Sequence, residues 1–312
     1  MAWADRRVFV VLPCYNVAGQ VAGVVASVPP WVDGIVAVDD ASTDDTGVVL
    51  DGLRDPRLVV VHHARNLGVG GAVSTGFELG AELGADILVK VDGDGQMDLA
   101  DLPPLLDALT TQGYDYAKGN RLLDRKALAS MPRVRLFGNL ILTFLTKLAS
   151  GYWRLLDPQN GFVAIRAETW ARLDRHRIAR GYFFENDMLV NLNIQDARVK
   201  DVPMPARYGG EPSSLRVHRI VPVFTWLLLS RMVYRFYTKY MLLDFSPIAL
   251  FVLTGLPLFL WGAGFGAFAW WANAQQGTFA STGTVMLSVL PLLLGFQLLL
   301  QALVLDIQQS PR

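Results

Sequence analysis

Asp92-Gly93-Asp94-Gly95-Gln96 sets two carboxylates one residue apart on a glycine turn, directly after the apolar run at residues 87–91, which Lys90 alone interrupts. Carboxylates at that spacing can share one divalent cation, and hard oxygen ligands favour Mg2+ or Mn2+ over zinc. Taken alone, the same five residues would also suit a solvated turn or half of a calcium loop. A second acidic cluster, Asp39 and Asp40 followed by Ser42, Thr43, Asp44, Asp45 and Thr46, closes another apolar run. Its carboxylates and hydroxyls can hydrogen-bond a base and ribose, while Ser42 or Thr43 can cap a following helix. Arg65-Asn66-Leu67-Gly68-Val69-Gly70-Gly71 closes a third run, and backbone amides in such a glycine turn can approach a phosphate. It lacks the Lys-Ser/Thr ending of a P-loop and does not follow the first strand, as a dinucleotide fingerprint would. His62, His63, His176 and His218 have no ligand spacing among themselves or with Cys14, and no nucleophile elbow is present. That argues against zinc and acyl-transfer chemistry, and no role is assigned to any of the four.

These groups need a frame that gathers loop ends. Residues 8–12, 34–38, 58–61 and 87–91 are short, β-branched apolar runs separated by stretches of helical length, the pattern of a parallel α/β sheet. Such sheets bind ligands beyond the carboxyl ends of their strands, so residues 13–16, 39–46, 65–71 and 92–96 are expected to line one crevice. From Arg135 to Leu148, the residues Leu136, Phe137, Leu140, Ile141, Phe144 and Leu145 recur at helical spacing opposite Asn139, Thr143 and Lys147. That pattern predicts an amphipathic helix, packed on the core or lying against lipid.

Of the 312 residues, 52% are hydrophobic and 18% charged, and the apolar excess lies after residue 220, so a globular domain followed by membrane segments is expected. Residues 248–271 and 285–305 carry no charge, and each stretch is long enough for a hydrocarbon core of ~30 Å. The loop between them has no Lys or Arg, whereas Arg231, Arg235 and Lys239 precede the first span. The positive-inside rule then puts the large domain and both termini in the cytoplasm. Those three cations recur every fourth residue among Trp226, Tyr234, Tyr237 and Tyr240, as suits a helix in the headgroup layer better than a third span. The expected division is 1–218 for the soluble domain, 219–246 for an interfacial helix and 247–312 for two transmembrane helices. The 28 basic and 28 acidic residues cancel, which gives no case for nucleic acid as a partner. Cys14, the single cysteine, fits a reducing compartment, and the apolar run at residues 8–12 is too short for a secretory signal.

Leu12-Pro13-Cys14-Tyr15-Asn16, Val38-Asp39-Asp40-Ala41-Ser42-Thr43-Asp44, the glycine turn through Ala72, and Val91-Asp92-Gly93-Asp94-Gly95-Gln96 together resemble family 2 glycosyltransferases in order and spacing. More closely, the chain looks like the branch of dolichyl-phosphate mannose synthases and bacterial polyprenyl-phosphate glycosyltransferases. The resemblance runs over nearly the whole chain. It implies an α/β, GT-A (Rossmann-like) domain with an amphipathic interfacial segment and a C-terminal two-helix transmembrane hairpin. Within it, Pro13, Tyr15 and Asn16 shape the nucleotide pocket, Asp39 reads the base with Asp40 beside it, and Gly70 belongs to the turn facing the phosphates. Asp92, Asp94 and Gln96 hold Mg2+ or Mn2+ against the diphosphate, which makes Asp94 a catalytic residue. Where the family's first motif continues with glutamate, this chain has Val17, a departure that bears on one nucleotide contact and not on the fold.

Lys118-Gly119-Asn120-Arg121 looks like the family's Gly-Ser-Arg segment, so Arg121 is expected at the acceptor phosphate, with Arg133 or Arg135 as a second cation. Asp157-Pro158-Gln159-Asn160-Gly161-Phe162 is similar to the acceptor-side loop that shapes the sugar pocket. Phe183-Phe184-Glu185-Asn186-Asp187-Met188 resembles the acidic motif, in which Asp187 corresponds to the base used with hydroxyl acceptors. With an acceptor phosphate already anionic, Glu185 and Asp187 orient the sugar instead. Arg207, Ser213 and Ser214 match a mobile loop expected to close over phosphates.

The reaction so implied is an inverting transfer from a nucleoside diphosphate sugar, UDP-hexose before GDP-mannose, to polyprenyl phosphate at the cytoplasmic face of the inner membrane. The resemblance also allows a homodimer or homotetramer. One alternative is a hydroxyl acceptor, which would need Asp187 as a true base. Another is a non-catalytic membrane protein that binds nucleotide sugars, against which the intact Asp92, Asp94, Gln96 and Asp187 argue. No Gln-x-x-Arg-Trp follows the acidic motif, which disfavours processive polysaccharide synthesis.

Overall fold

A computed structural model describes residue 3 and residues 5–121, 133–205 and 217–311; the side chains of residues 133–139 and 217–221 lie outside that description. The β-branched runs form β1 (Val8–Cys14), β2 (Gly34–Asp39), β3 (Leu58–His62) and β4 (Ile87–Lys90). They run parallel in the order β3-β2-β1-β4, joined through α1 (Val21–Ser27), α2 (Thr46–Gly52) and α3 (Val69–Glu82). Both faces of β1, β2 and β4 are covered, which is why these strands are apolar along nearly their whole length rather than at alternate residues, whereas the edge strand β3 is only partly buried.

The sheet continues as β5 (Tyr116–Asn120), β6 (Val163–Arg166) and β7 (Val199–Pro203), giving β3-β2-β1-β4-β6-β5-β7. The parallel arrangement read from the sequence holds for the first four strands, but β6 runs antiparallel to both β4 and β5, so the sheet is mixed. Apolar composition marks a buried strand without marking its direction. The reversal pairs Lys90 with Val163 and so brings the loop before β6 to the carboxyl end of β4.

The remaining helices of this half are α4 (Leu102–Thr110), α5 (Arg133–Ser150), α6 (Ala167–Arg172), α7 (Phe184–Ile194) and α8 (Val217–Tyr237). In α5, Leu142, Leu145 and Ala149 pack with Phe183, Phe224 and Leu228, whereas Leu140, Ile141 and Phe144 remain exposed. Core packing and an outward apolar face therefore coexist on this helix.

Contacts divide the chain into one unit of residues 1–232 with 311–312, and another of residues 233–310. The second unit holds the end of α8, a π-helical turn at Thr238–Leu243, and two long helices, α9 (Pro247–Gln276) and α10 (Thr282–Gln308). Both long helices have the length and apolar composition of membrane spans. Small residues let their backbones approach, and the Ser288 hydroxyl donates to the Gly262 carbonyl at 3.1 Å.

The cations expected in the headgroup layer are otherwise engaged. Arg235 is buried and donates to both oxygens of Asp306, at 2.7 and 3.1 Å, with the Tyr240 hydroxyl on the same carboxylate. Lys239 is buried over the Tyr240 ring, and Arg231, in the first unit, is held by Asp187. Helical spacing puts cations on one face but does not say what covers that face, and here carboxylates hold the two arginines.

Candidate active site

Strand register builds the first half of the site. Asp39 pairs with His62 across β2 and β3, so His62 Nδ1 lies 3.0 Å from Asp39 Oδ2, and the residue just past the end of each strand repeats the contact, His63 Nδ1 to Asp40 Oδ1 at 2.7 Å. Asp39 also accepts the Ser42 N–H at 3.0 Å. Burial pushes the Asp39 carboxyl up, but hydrogen bonds from Ser42 and His62 outweigh it and leave the carboxyl below its usual range. Hydrogen bonds to Asp39 and then Asp51 raise His62.

Asp40 is buried and accepts the N–H groups of Leu67 and Gly68, each at 2.8 Å. It anchors the glycine turn, its oxygens satisfying backbone donors in the interior. Gly70 has a packing role as well. It is buried, and a Cβ there would stand 2.2 Å from the Ala179 carbonyl, so its lack of a side chain lets α3 seat against residues 179–181.

Asn16, at φ 54°, joins the loops after β1 and β2. Its Oδ1 accepts from the Thr43 N–H at 2.8 Å, and its own N–H donates to the Ser42 hydroxyl at 3.1 Å. Tyr15 beside it is exposed and Pro13 is partly buried. The Val17 N–H donates to the Thr46 hydroxyl at 2.8 Å, which folds this position into the domain.

The second half centres on the turn after β4, where Asp94 and Gln96 are exposed and the Gln96 N–H donates to Asp94 Oδ1 at 3.0 Å. Behind it lies Lys90, wholly buried, with Nζ 2.7 Å from Asp92 Oδ1, 3.3 Å from Glu185 Oε1 and 3.3 Å from the Gly161 carbonyl. Burial lowers the ammonium, and Asp92 and Glu185 more than restore it, so the lysine is charged. Glu185 and Asp187 stand two residues apart on α7, which turns their side chains ~200° from each other.

Asp187 thus faces the interior, fully buried. Its Oδ1 accepts Arg231 Nε–H at 2.6 Å, and its Oδ2 accepts Arg231 Nη2–H at 3.1 Å and the Ala179 N–H at 2.8 Å. Burial pushes this carboxyl up, more than Arg231 and the Ala179 N–H draw it down. In this structure the Asp187 carboxylate clamps α8 through Arg231, and Glu185 is the member of the motif turned toward the Asp92–Gln96 turn through Lys90.

Arg121, at the end of β5, donates through Nε and Nη2 to Asp157 at 2.9 and 3.3 Å. Burial pushes Asp157 up, while Arg121 and Lys118 outweigh burial and hold it below the usual carboxylate range. Lys118, buried underneath, donates to the Asp157 carbonyl. Asp92, Asp94, Gln96, Arg121, Gln159 and Asn160 line one pocket. Arg133 and Arg135 lie in the first turn of α5, with side chains outside the described residues, as are Arg207, Ser213 and Ser214 entirely.

Four residues contribute in ways the sequence reading did not assign. His62 and His63 were legible only through strand register. Lys90 had a signal, a lone charge in an apolar strand just before an acidic turn. Arg231 had none, lying 44 residues from its partner. Asp92, Asp94 and Gln96 offer hard oxygens that suit Mg2+ or Mn2+, yet among the described residues no three His, Cys, Asp or Glu side chains cluster to hold an ion alone. The set offers hard oxygens for such an ion without enclosing it.

A mixed seven-stranded sheet with an Asp-x-Asp turn at its carboxyl edge, opposite a clamped arginine, defines the GT-A-like class of α/β domains. The profile of Glycosyl transferase family 2 matches residues 9–173, and the chain belongs to that glycosyltransferase family. Among its relatives, the UDP-N-acetylglucosamine–dolichyl-phosphate N-acetylglucosaminyltransferase of Methanococcus voltae is 29% identical over 220 residues, covering 66% of this chain and 87% of the relative. The undecaprenyl-phosphate mannosyltransferase of Micrococcus luteus is 32% identical over 204 residues, covering 64% and 82%. In structure, the chain is similar to glucosyl-3-phosphoglycerate synthase of Mycobacterium tuberculosis in complex with Mn2+, UDP-glucose and phosphoglyceric acid. That likeness has a TM-score of 0.54 at 23% identity and covers 74% of this chain and 80% of the synthase, so it speaks to fold alone.

Proposed function

We propose that this protein transfers a sugar, with inversion, from a nucleoside diphosphate to polyprenyl phosphate at the cytoplasmic face of a membrane. The observation that carries the reading is one pocket whose walls hold Asp92, Asp94 and Gln96 together with Arg121, since the transfer needs a diphosphate leaving group and a phosphate nucleophile side by side. Asp39, Asn16 and Tyr15 hold the base and ribose. Asp92, Asp94 and Gln96 would hold Mg2+ or Mn2+, which supplies charge neutralisation for the departing diphosphate. Asp157 fixes the plane of the Arg121 guanidinium at the pocket wall, and that fork suits a phosphate oxygen pair. An anionic phosphate oxygen attacks in line without a strong base, consistent with the enclosure of Asp187.

A hydroxyl acceptor is the weaker reading because Asp187 is clamped by Arg231. Arg133, Arg135, Arg207, Ser213 and Ser214 remain proposed contacts to the phosphates. Cytoplasmic placement is supported by the Lys and Arg before α9, against none at residues 272–284. The exposed Leu140, Ile141 and Phe144 of α5, with Val223, Trp226 and Leu229 of α8, suit contact with lipid.

The named relatives divide between N-acetylglucosamine and mannose, and UDP-hexose remains the first donor to try. Membranes enriched in the wild-type chain or in Asp94→Ala are incubated with undecaprenyl phosphate, Mg2+ or Mn2+, and labelled UDP-glucose, UDP-N-acetylglucosamine or GDP-mannose. Label entering the organic phase with one donor, dependent on metal and on Asp94, is expected. No labelling by any donor, in protein that still binds nucleotide, would sink the polyprenyl-phosphate reading.

A further inference from the structure

Lys90 closes β4 with its whole side chain out of water. Three oxygens from three different parts of the chain converge on its ammonium: Asp92 Oδ1 from the turn after β4, Glu185 Oε1 from α7, and the Gly161 carbonyl from the loop before β6. The loop can close so tightly because residue 161 has no side chain; a Cβ there would stand 2.4 Å from Nζ and 3.2 Å from Asp92 Oδ2. An ammonium ringed by hard oxygens in this way occupies the place a small cation would take between two carboxylates. Asp92 meanwhile keeps about a third of its side chain exposed at the pocket, at 33%, against 12% for Glu185.

We propose that Lys90 is a built-in cation that keeps Glu185 out of the coordination shell of the divalent ion held by Asp92 and Asp94, so that stable metal binding waits for the diphosphate. The proposal rests on the reading of Asp92 and Asp94 as metal ligands. Without the ammonium, Asp92 and Glu185 would face each other across a gap suited to a divalent ion, and affinity in oxygen sites rises with the number of charged ligands. The ion would then be retained with no nucleotide present and be drawn away from the pocket face of Asp92. Lys90 is a positioning residue, acting through Asp92 and Glu185.

Mn2+ binding to the full-length chain in detergent, followed by the electron paramagnetic resonance signal of free Mn2+, tests this with and without UDP or GDP. Without nucleotide, Lys90→Met is expected to bind Mn2+ at least roughly tenfold more tightly than wild type. A purely structural lysine predicts the reverse, weaker binding as the turn loosens. Equal or weaker Mn2+ binding by Lys90→Met overturns the proposal. Glu185→Gln gives an answer even if Lys90→Met does not accumulate as folded protein. With the nucleoside diphosphate present, its Mn2+ affinity should stay within about threefold of wild type, because Glu185 is not a ligand, and a loss of tenfold or more overturns the proposal. Transfer to lipid is no part of either readout, so the acceptor reading fails by its own assay and the Lys90 reading by this one.

Discussion

At the ends of β1, β2 and β3, carboxylates are matched to backbone N–H groups and to histidines: Asp39 to Ser42 and His62, Asp40 to Leu67, Gly68 and His63, Asp44 to Thr46 and Ala18. Around the ends of β4, β5 and β6 they are matched to cations: Asp92 and Glu185 to Lys90, Asp157 to Arg121, with Asp187 held by Arg231 on the far side of α7. The first arrangement satisfies its acceptors on the chain itself and stiffens the loops proposed to receive a nucleotide. The second leaves acidic and basic groups facing one pocket, where a bound phosphate or metal ion can exchange for a partner. On the proposed function, one half serves as a scaffold and the other handles ions, and substitutions should sort by half.

The largest effect is expected at Asp94, which is exposed on the ion side. Asp94→Ala should lower lipid labelling by up to roughly a thousandfold, as loss of a main electrostatic group at a reacting centre does, while the melting temperature stays within error. A melting temperature that falls with activity would make the turn a structural element and erase the contrast.

Next comes Arg231→Met, which leaves the fully buried Asp187 without its guanidinium and should destabilise the first unit by about 3 kcal/mol. Asp187→Leu placed in the same chain should recover most of that loss, since the cost lies in stranding a charge rather than in losing a favourable pair. Denaturant unfolding of the single and double variants measures both. Asp40→Ala belongs to the scaffold half. By orphaning the Leu67 and Gly68 N–H groups it should cost about 2 kcal/mol, with nucleotide binding reduced only as far as the fold is. Lost nucleotide affinity at unchanged stability would instead return Asp40 to the ligand.

How far the sequence foretold these halves depends on whether partners are local. The four parallel strands were legible because buried parallel strands are continuous apolar runs with polar ends, and the Asp92–Gln96 turn was legible because its ligands are contiguous. The direction of β6 was not, since Val163-Ala164-Ile165-Arg166 reads the same either way, and with it went the arrival of Gly161 beside Lys90. The partner of Asp187 was hidden for a different reason. Its motif was recognisable, but helical geometry alone separates its side chain from that of Glu185, and its arginine comes from α8. The cations of α8 show the same limit: their spacing was read correctly, and their buried carboxylate partners, Asp187 and Asp306, lie 44 and 71 residues away.

The smallest effect sharpens the scaffold side through pH. Asp39 lies below its ordinary value of 3.8 and His62 above its ordinary value of 6.5, each moved in part by hydrogen bonding to the other. A carboxylate with a depressed value contributes stability above 3.8 that is lost as pH falls through the depressed value. A histidine with a raised value contributes stability below 6.5 that is lost as pH rises through the raised one. The contribution of the pair is therefore complete between pH 3.8 and 6.5 and fades on the alkaline side first within the usable range. His62→Gln should reduce stability by less than about 1 kcal/mol, because the ring is half-exposed and solvent screens it. The deficit relative to wild type should be greatest inside that window and shrink at higher pH. A deficit that stays constant to alkaline pH would mean that a neutral imidazole supplies the whole contact, and that the scaffold half, unlike the ion half, uses no charge at this position.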